Sequence, residues 1–206
     1  MKSFMDHGEL DRLFDFAFGP TNPGYRPQVV ESPDGNGVWD ERKRYAHVAP
    51  KYGLGPMFGL YDRAFDLSRT VCEYLCVPRA LWPGPDSTMR VLDYPPGATT
   101  AAHADWDLLT LSLYRDTPEP FKYLSGEHEP TLSDARKVWP GIHFGYIMRE
   151  ALGIEPTRHE VVASDKRTRS VVFFVVPSHV AALPSGLTVG EWIEDMKKRS
   201  RKEVYS

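Results

Sequence analysis

From Leu109 to Leu113 apolar and polar residues alternate strictly, Leu109, Leu111 and Leu113 against Thr110 and Ser112. That two-residue period belongs to a strand with one buried face. A second alternation runs from Met89 to Tyr94. Arg90, Leu92 and Tyr94 share one face, and Met89, Val91 and Asp93 share the other. Pro95-Pro96 ends it, because proline brings no donor to a ladder. Arg169 to Val176 is nearly all apolar, which predicts a strand covered on both faces. Phe121 to Leu124 predicts a short strand, and Trp139 to Met148 another, with a turn at Gly153. Helical spacing occurs in three places. Leu10, Leu13 and Phe14 mark a helix over 8–18 that Gly19-Pro20 stops. Phe58, Tyr61, Phe65, Cys72 and Leu75 mark a longer one over 57–77, closed by Val77-Pro78 and suited to covering a sheet from outside. Thr188-x-x-Glu191 is a capping box, and Val189, Trp192, Ile193 and Met196 continue it as a short C-terminal helix. Residues 19–56 are rich in Pro, Gly, Asn and Asp and predict loops, with a turn at Gly35-Asn-Gly37. Their aromatics Tyr25, Trp39, Tyr45 and Tyr52 either line a mouth or pin the loop to the body, and the segment is expected to act as a lid.

Composition changes this picture little. A chain of 206 residues, 41% hydrophobic and 26% charged, holds one domain with a substantial core. Its parts are a helical and loop segment over 1–87, a β core over 88–180, and a C-terminal helix with a basic tail over 181–206. The net charge of −3 gives no electrostatic case for nucleic acid or an anionic membrane. The basic run from Lys197 to Lys202 is read as a solvated helix end. No apolar run approaches a membrane span, and the N-terminus lacks the basic-then-apolar pattern of a leader. Two cysteines, Cys72 and Cys76, in a chain of this size read as reduced and cytoplasmic.

The chemistry gathers just before the first alternation. His103-Ala-Asp-Trp-Asp-Leu-Leu-Thr-Leu-Ser-Leu113 sets an imidazole and a carboxylate two residues apart. If the strand extends back to His103, both point to one side, because positions i and i+2 share a face. One further histidine would complete two imidazoles and a carboxylate, the facial set that holds Fe(II) and leaves positions open for oxygen and substrate.

Around it lie Arg90-Val-Leu-Asp-Tyr-Pro-Pro-Gly97, then Gly153-Ile-Glu-Pro-Thr-Arg-His159-Glu-Val161, then Thr168-Arg-Ser-Val-Val-Phe-Phe-Val-Val-Pro177. In this order, over about residues 88–193, the segments resemble the isopenicillin-N-synthase-like branch of the Fe(II)/2-oxoglutarate oxygenases. The resemblance implies a double-stranded β-helix, or jelly-roll, core with flanking helices. It implies His103, Asp105 and His159 as metal ligands, Fe(II) as the metal, and 2-oxoglutarate as the co-substrate that becomes succinate and CO₂. O₂ and a small organic molecule are the remaining partners. Tyr94 matches a family tyrosine near the co-substrate, although its companion asparagine is Leu92 here. The family's arginine and serine for the far carboxylate fall near 168–170, but out of step. Counted forward from His159 the arginine is Arg169. Counted back from Phe173-Phe174 it is Thr168, with Ser170 as the serine. Arg169 assisted by Ser170 is the expected anchor. Arg90 and Lys122 are the alternatives, and Arg167 is taken as solvated. No motif supports His7, His47, His128, His143 or His179 as ligands, although His143 could face the cavity. Trp106 either flanks the pocket or packs in the core.

The chain departs from that branch at its front, where a strand joining the major sheet is expected to be missing. It is then either a compact version or borrows an edge from a partner, as in a homodimer. Two other functions use the same residues: an iron oxidase that needs no 2-oxoglutarate, and a non-catalytic metal-binding β-sandwich. A zinc hydrolase lacks a nucleophile motif.

Overall fold

A computed structural model describes residues 4–19, 27–31, 39–43, 56–94, 96–97, 99–115, 121–124, 140–162 and 165–204. The architecture is mainly β with flanking helices. Strands β1 (Pro27–Glu31), β2 (Trp39–Lys43), β3 (Thr88–Tyr94), β5 (Leu109–Tyr114), β7 (Gly141–Phe144) and β9 (Thr168–Val175) form one sheet in the order β1-β2-β3-β9-β5-β7. A smaller sheet has the order β4-β8-β6, from β4 (Thr100–His103), β8 (His159–Val161) and β6 (Phe121–Tyr123). Every pairing is antiparallel.

Strand parity sorts the major sheet into two faces. Met89 and Val91 of β3, Leu109, Leu111 and Leu113 of β5, and Val171, Phe173 and Val175 of β9 belong to one buried core. Helix α1 (His7–Ala17) brings Leu10, Leu13, Phe14 and Ala17 to it. Helix α2 (Pro56–Tyr74) brings Leu60, Tyr61, Ala64 and Cys72, with Tyr61 meeting Phe173 edge-on at 5.0 Å between ring centroids. The alternate residues Arg90, Leu92, Tyr94, Thr110, Ser112, Tyr114, Val172 and Phe174 turn to the opposite face and line a pocket. Central β9 is therefore covered on both sides, which explains its apolar run from Val171 to Val175.

Caps close the helices. Asp6 and Glu9 satisfy each other's backbone N–H at the start of α1, at 2.7 and 3.0 Å. Thr188 and Glu191 do the same for α4 (Val189–Val204). Its basic end carries local ion pairs, Lys197 with Glu194 and Arg199 with Asp195.

Three expectations are revised. The front of the chain contributes two strands: β2 pairs with β3 through Arg42↔Leu92 and Lys43↔Val91, and β1 pairs with β2. The chain's own β2 thus supplies, beside β3, the strand that was expected to be missing. Gly35-Asn-Gly37, Tyr25, Tyr45 and Tyr52 lie outside the described residues, and with them most of the expected lid. The strand expected over Trp139 to Met148 stops at Phe144. Gly145 then caps helix α3 (Tyr146–Leu152), which ends at Gly153 with φ of 73°. Finally, no single strand runs from His103 to Leu113, because a loop separates β4 from β5. Among the described residues no helix is long and apolar enough to cross a membrane.

Candidate metal centre

The loop between β4 and β5 is held by the start of α3. The backbone N–H of Tyr146 donates to the Asp105 carbonyl at 2.9 Å, that of Ile147 to Asp107 at 3.0 Å, and that of Gly145 to Leu108 at 3.1 Å. Leu108 N–H donates to Val175 at 2.9 Å, tying the loop to the end of β9. Gly145 is required by this packing. A Cβ there would lie 2.2 Å from both the Asp107 carbonyl and its Oδ1.

So anchored, Asp105 faces two histidines. His103 ends β4 and pairs with His159, which opens β8. Asp105 Oδ1 lies 3.9 Å from His103 Nε2, and its Oδ2 lies 3.9 Å from His159 Nε2. The imidazole rings stand 4.4 Å apart, and one ligand atom from each of the three residues falls within 4.8 Å of the others. Donors each about 2.1 Å from one ion and at right angles to one another lie about 3 Å apart, so the three side chains would draw together by about 1 to 2 Å around a metal.

The donor chemistry agrees. His159 Nδ1 makes a 3.1 Å hydrogen bond to the Thr157 carbonyl. A carbonyl only accepts, so Nδ1 carries the proton and Nε2 keeps its lone pair toward Asp105. Burial lowers the His159 pKa, against an opposing effect of Asp105, and so favours the neutral imidazole that a metal needs.

Behind Asp105 sits a second carboxylate. Thr110 Oγ1 is 2.7 Å from Asp105 Oδ2 and 2.6 Å from Asp107 Oδ2. One hydroxyl proton cannot serve both contacts. Asp107 is buried, and desolvation first, then the nearby Asp105 charge, push its pKa well above the ordinary carboxyl value. Of the two carboxyls beside Thr110, burial makes Asp107 the one that more readily holds a proton. The Thr110 hydroxyl bridges them and helps to fix the Asp105 carboxylate, whose oxygens face the two histidines. His143 completes this wall. It pairs with Thr110 across β7 and β5, is 2% exposed, and its ring lies 5.4 Å from that of His159, tilted by 46°. Burial lowers its pKa to about 4, with His159 second.

The other sequence candidates separate. Tyr94 lines the pocket beside Leu92, and its hydroxyl accepts from Thr100 Oγ1 at 3.3 Å. Ser170 pairs with Leu92, on the pocket side of β9, and is buried. Arg169 is placed on the other side. It pairs with Asp93, donates from Nε to Asp93 Oδ2 at 3.3 Å, and lies over the Phe18 ring at 4.9 Å. The anchor expected of Arg169 is thereby displaced, because β9 is regular and its parity sends 169 outward. Arg167 is exposed, as expected, and also grips Asp93 with two 2.6 Å hydrogen bonds. Lys122 pairs with Glu160, whereas the pocket residues His159 and Val161 pair with Tyr123 and Phe121, so its position belongs to the opposite face of the small sheet. Arg90 lines the pocket, its guanidinium 4.6 Å from the Phe174 ring centroid. Trp106 packs against the core. Thr110, Asp107, Gly145 and Arg90's stacking were not singled out from the sequence. The only signal was Thr110's place in the Leu-Thr-Leu alternation.

Structures with this arrangement of strands are known. A Shewanella oneidensis protein assigned as an oxygenase superposes with a TM-score of 0.63 at 17% identity, covering 95% of this chain and 87% of its own. JOX2, solved in complex with 2OG, Fe and JA, gives 0.60 at 13% identity, covering 93% and 75%. Full-length Neurospora crassa T7H, solved with alpha-KG and 5-formyluracil, gives 0.55 at 14% identity, covering 87% and 73%. The chain has the fold of the Fe(II)/2-oxoglutarate oxygenases. Within that oxygenase fold the His103–Asp105–His159 cluster and the pocket lie on the inner side of the major sheet. No family model matches the chain. A methionyl-tRNA formyltransferase of Leifsonia xyli subsp. xyli is 38% identical over 64 residues, 31% of this chain and 20% of that protein. The match spans about a fifth of that relative's length and leaves the metal cluster to be read on its own geometry.

Proposed function

We propose that the protein is an Fe(II)- and 2-oxoglutarate-dependent oxygenase acting on a small organic molecule, with hydroxylation as its default outcome. The observation that carries this is the cluster itself. Two imidazoles and a carboxylate converge at the wall of a pocket lined from both sheets. The arrangement of two unequal antiparallel sheets, one helix-backed, supports a jelly-roll core of the isopenicillin-N-synthase-like kind, in a single domain.

Each residue then has a task. His103, Asp105 and His159 hold the metal. When bound, iron with an oxo-acid co-substrate supplies the oxidising power that side chains lack. Thr110, bridged to buried Asp107, keeps the Asp105 carboxylate in one orientation. Leu92, Val161, Val172 and Phe174 supply apolar walls that exclude water. Tyr94 and Ser170 offer hydroxyls on the same side of the major sheet, suited to an oxo acid.

The test is succinate formation from 2-oxoglutarate by anaerobically Fe(II)-loaded protein on admission of air, alone and with a pooled extract of small metabolites. Formation in the wild type and its loss in His159→Ala is the expected result. A second reading has an observation of its own. Thr168 pairs with Tyr94, on the inward side where the family has arginine, which favours an iron oxidase independent of 2-oxoglutarate. Metal-dependent oxygen consumption without succinate would establish that reading instead.

A further inference from the structure

We propose that Thr157 is a positioning residue of this centre: its hydroxyl fixes the Thr157 carbonyl, and that carbonyl holds the His159 ring with Nε2 turned toward Asp105, as a ligand requires; this rests on the metal-ligand reading above. The first step is the closure of an excursion. After β7 the chain leaves at Gly145, runs through α3, turns at Gly153 and returns into β8. It meets its own start at Phe144. Thr157 N–H donates to the Phe144 carbonyl at 2.8 Å, and Phe144 N–H donates to Thr157 Oγ1 at 3.0 Å. Two residues 13 apart in the chain are thus locked by a pair of hydrogen bonds, one of them made by a side chain.

The second step is what this lock holds. On one side of it, Tyr146 N–H donates to the Asp105 carbonyl at 2.9 Å. On the other, the Thr157 carbonyl accepts from His159 Nδ1 at 3.1 Å. Residues 144 to 146 therefore grip the segments of two ligands that lie far apart in the sequence. The outcome is Asp105 Oδ2 set 3.9 Å from His159 Nε2. If the Thr157 peptide turns, the His159 ring loses its guide while Asp105 keeps its own.

The third step is the choice of tautomer. A neutral imidazole has one N–H, and the hydrogen bond made by one nitrogen decides where the lone pair stays. With the proton on Nδ1, the Thr157 carbonyl has its donor and Nε2 is free to bind a metal. With the proton on Nε2, two acceptors face each other at Nδ1 and the nitrogen facing Asp105 has no lone pair to give. The hydroxyl matters because valine at 157 has the same branched outline but no acceptor. Phe144 N–H would lose its partner, and one bond would hold the peptide in place of two. Serine keeps the acceptor.

The experiment uses nitrogen-15 correlation spectra of the histidine-labelled apo protein at about pH 8, above the ordinary imidazole pKa. The His159 signal is identified by its loss in His159→Gln. Calorimetric titration with Mn(II) and urea unfolding accompany each spectrum. The wild type should show His159 in the Nδ1–H form alone. Thr157→Val should show both forms and bind Mn(II) about tenfold more weakly. Thr157→Ser should restore the single form, with Mn(II) affinity within twofold of the wild type. A threonine that only stabilises the fold behaves otherwise. Thr157→Val would then unfold at lower urea with the tautomer and Mn(II) affinity unchanged, and that result overturns the proposal. So does a wild-type His159 in the Nε2–H form, a result that needs no variant to fold. A wild type in the Nδ1–H form that binds no Mn(II) removes the metal-ligand reading itself, and the positioning role with it.

Discussion

Acidifying the metal-free protein should destabilise it through His143, by an amount the structure sets. The ring is 2% exposed on β7, flanked by Thr110 and by His159. Burial, then the positive charge available to His159, lowers its pKa from the ordinary 6.5 to about 4, while Asp105 opposes. The folded state thus refuses a proton that the unfolded chain accepts. Stability from this group is whole above pH 6.5 and is lost as pH falls from 6.5 toward 4. At pH 5 the unfolded chain is almost fully protonated at this position and the folded one barely so, a loss of about 2 kcal/mol relative to pH 7. His159 titrates in the same direction, so the wild-type loss is larger than this. Substitution isolates the part due to His143. In urea unfolding of the apo protein at pH 7, 6 and 5, His143→Gln should shrink the loss by about 2 kcal/mol at the lowest pH. If wild type and variant lose stability in parallel, within about 0.5 kcal/mol, then His143 is not a buried neutral base and the reasoning fails.

Three further outcomes are expected. Gly145→Ala forces a Cβ to 2.2 Å from Asp107, so it should cost about 2 kcal/mol or more and weaken metal binding together with folding, seen in paired denaturation and metal titrations. Thr110→Val should leave the fold intact but lower metal affinity about tenfold or more, because the outer hydrogen bond to Asp105 is lost, as competition with a chelator of known affinity would show. Asp93→Ala strips a buried carboxylate from two arginines and should lower stability by about 2 kcal/mol. That is less than a fully buried pair would cost, because Arg167 is 45% exposed and rehydrates, and equilibrium unfolding measures it.

Much of the scaffold was legible because its strands carry their burial in their periods. β3 and β5 alternate as the structure divides them, and β9 is apolar from Val171 to Val175 because helices cover one side and the pocket the other. The N-terminal strands were not legible. Trp39-Asp-Glu-Arg-Lys43 holds four charged residues in a row and has no apolar period. Its strand form comes from pairing with β1 and β3, and a charged sequence is what the outer part of a sheet tolerates. The switch at Gly145 was hidden for a related reason. Gly141 to Met148 is one mixed apolar run, and periodicity cannot divide it. What divides it is the approach of Gly145 to Asp107, a contact between segments far apart in the sequence. The closeness of His103 and Asp105 was anticipated from strand parity, yet the loop held by α3 produces it.

The displaced anchor shows which kind of counting along a chain can be trusted. Counting forward from His159 to Arg169 crosses the segment 162–167 between β8 and β9, and a loop can gain or lose a residue without altering either strand. Counting back from Phe173-Phe174 never leaves β9, where each step reverses the side chain and a single slip would turn every later residue over. Phe173 packs on Tyr61 in the helix-backed core, and Phe174 lies under Arg90 in the pocket, so the parity of β9 is set by large rings on both faces. From there Thr168 must face in and Arg169 must face out, and buried Asp93 on β3 meets Arg169 where it emerges. By the same parity Arg90, sharing a face with Leu92 and Tyr94, has to enter the pocket. The side that Arg90 takes follows from the alternation of Met89 to Tyr94 alone.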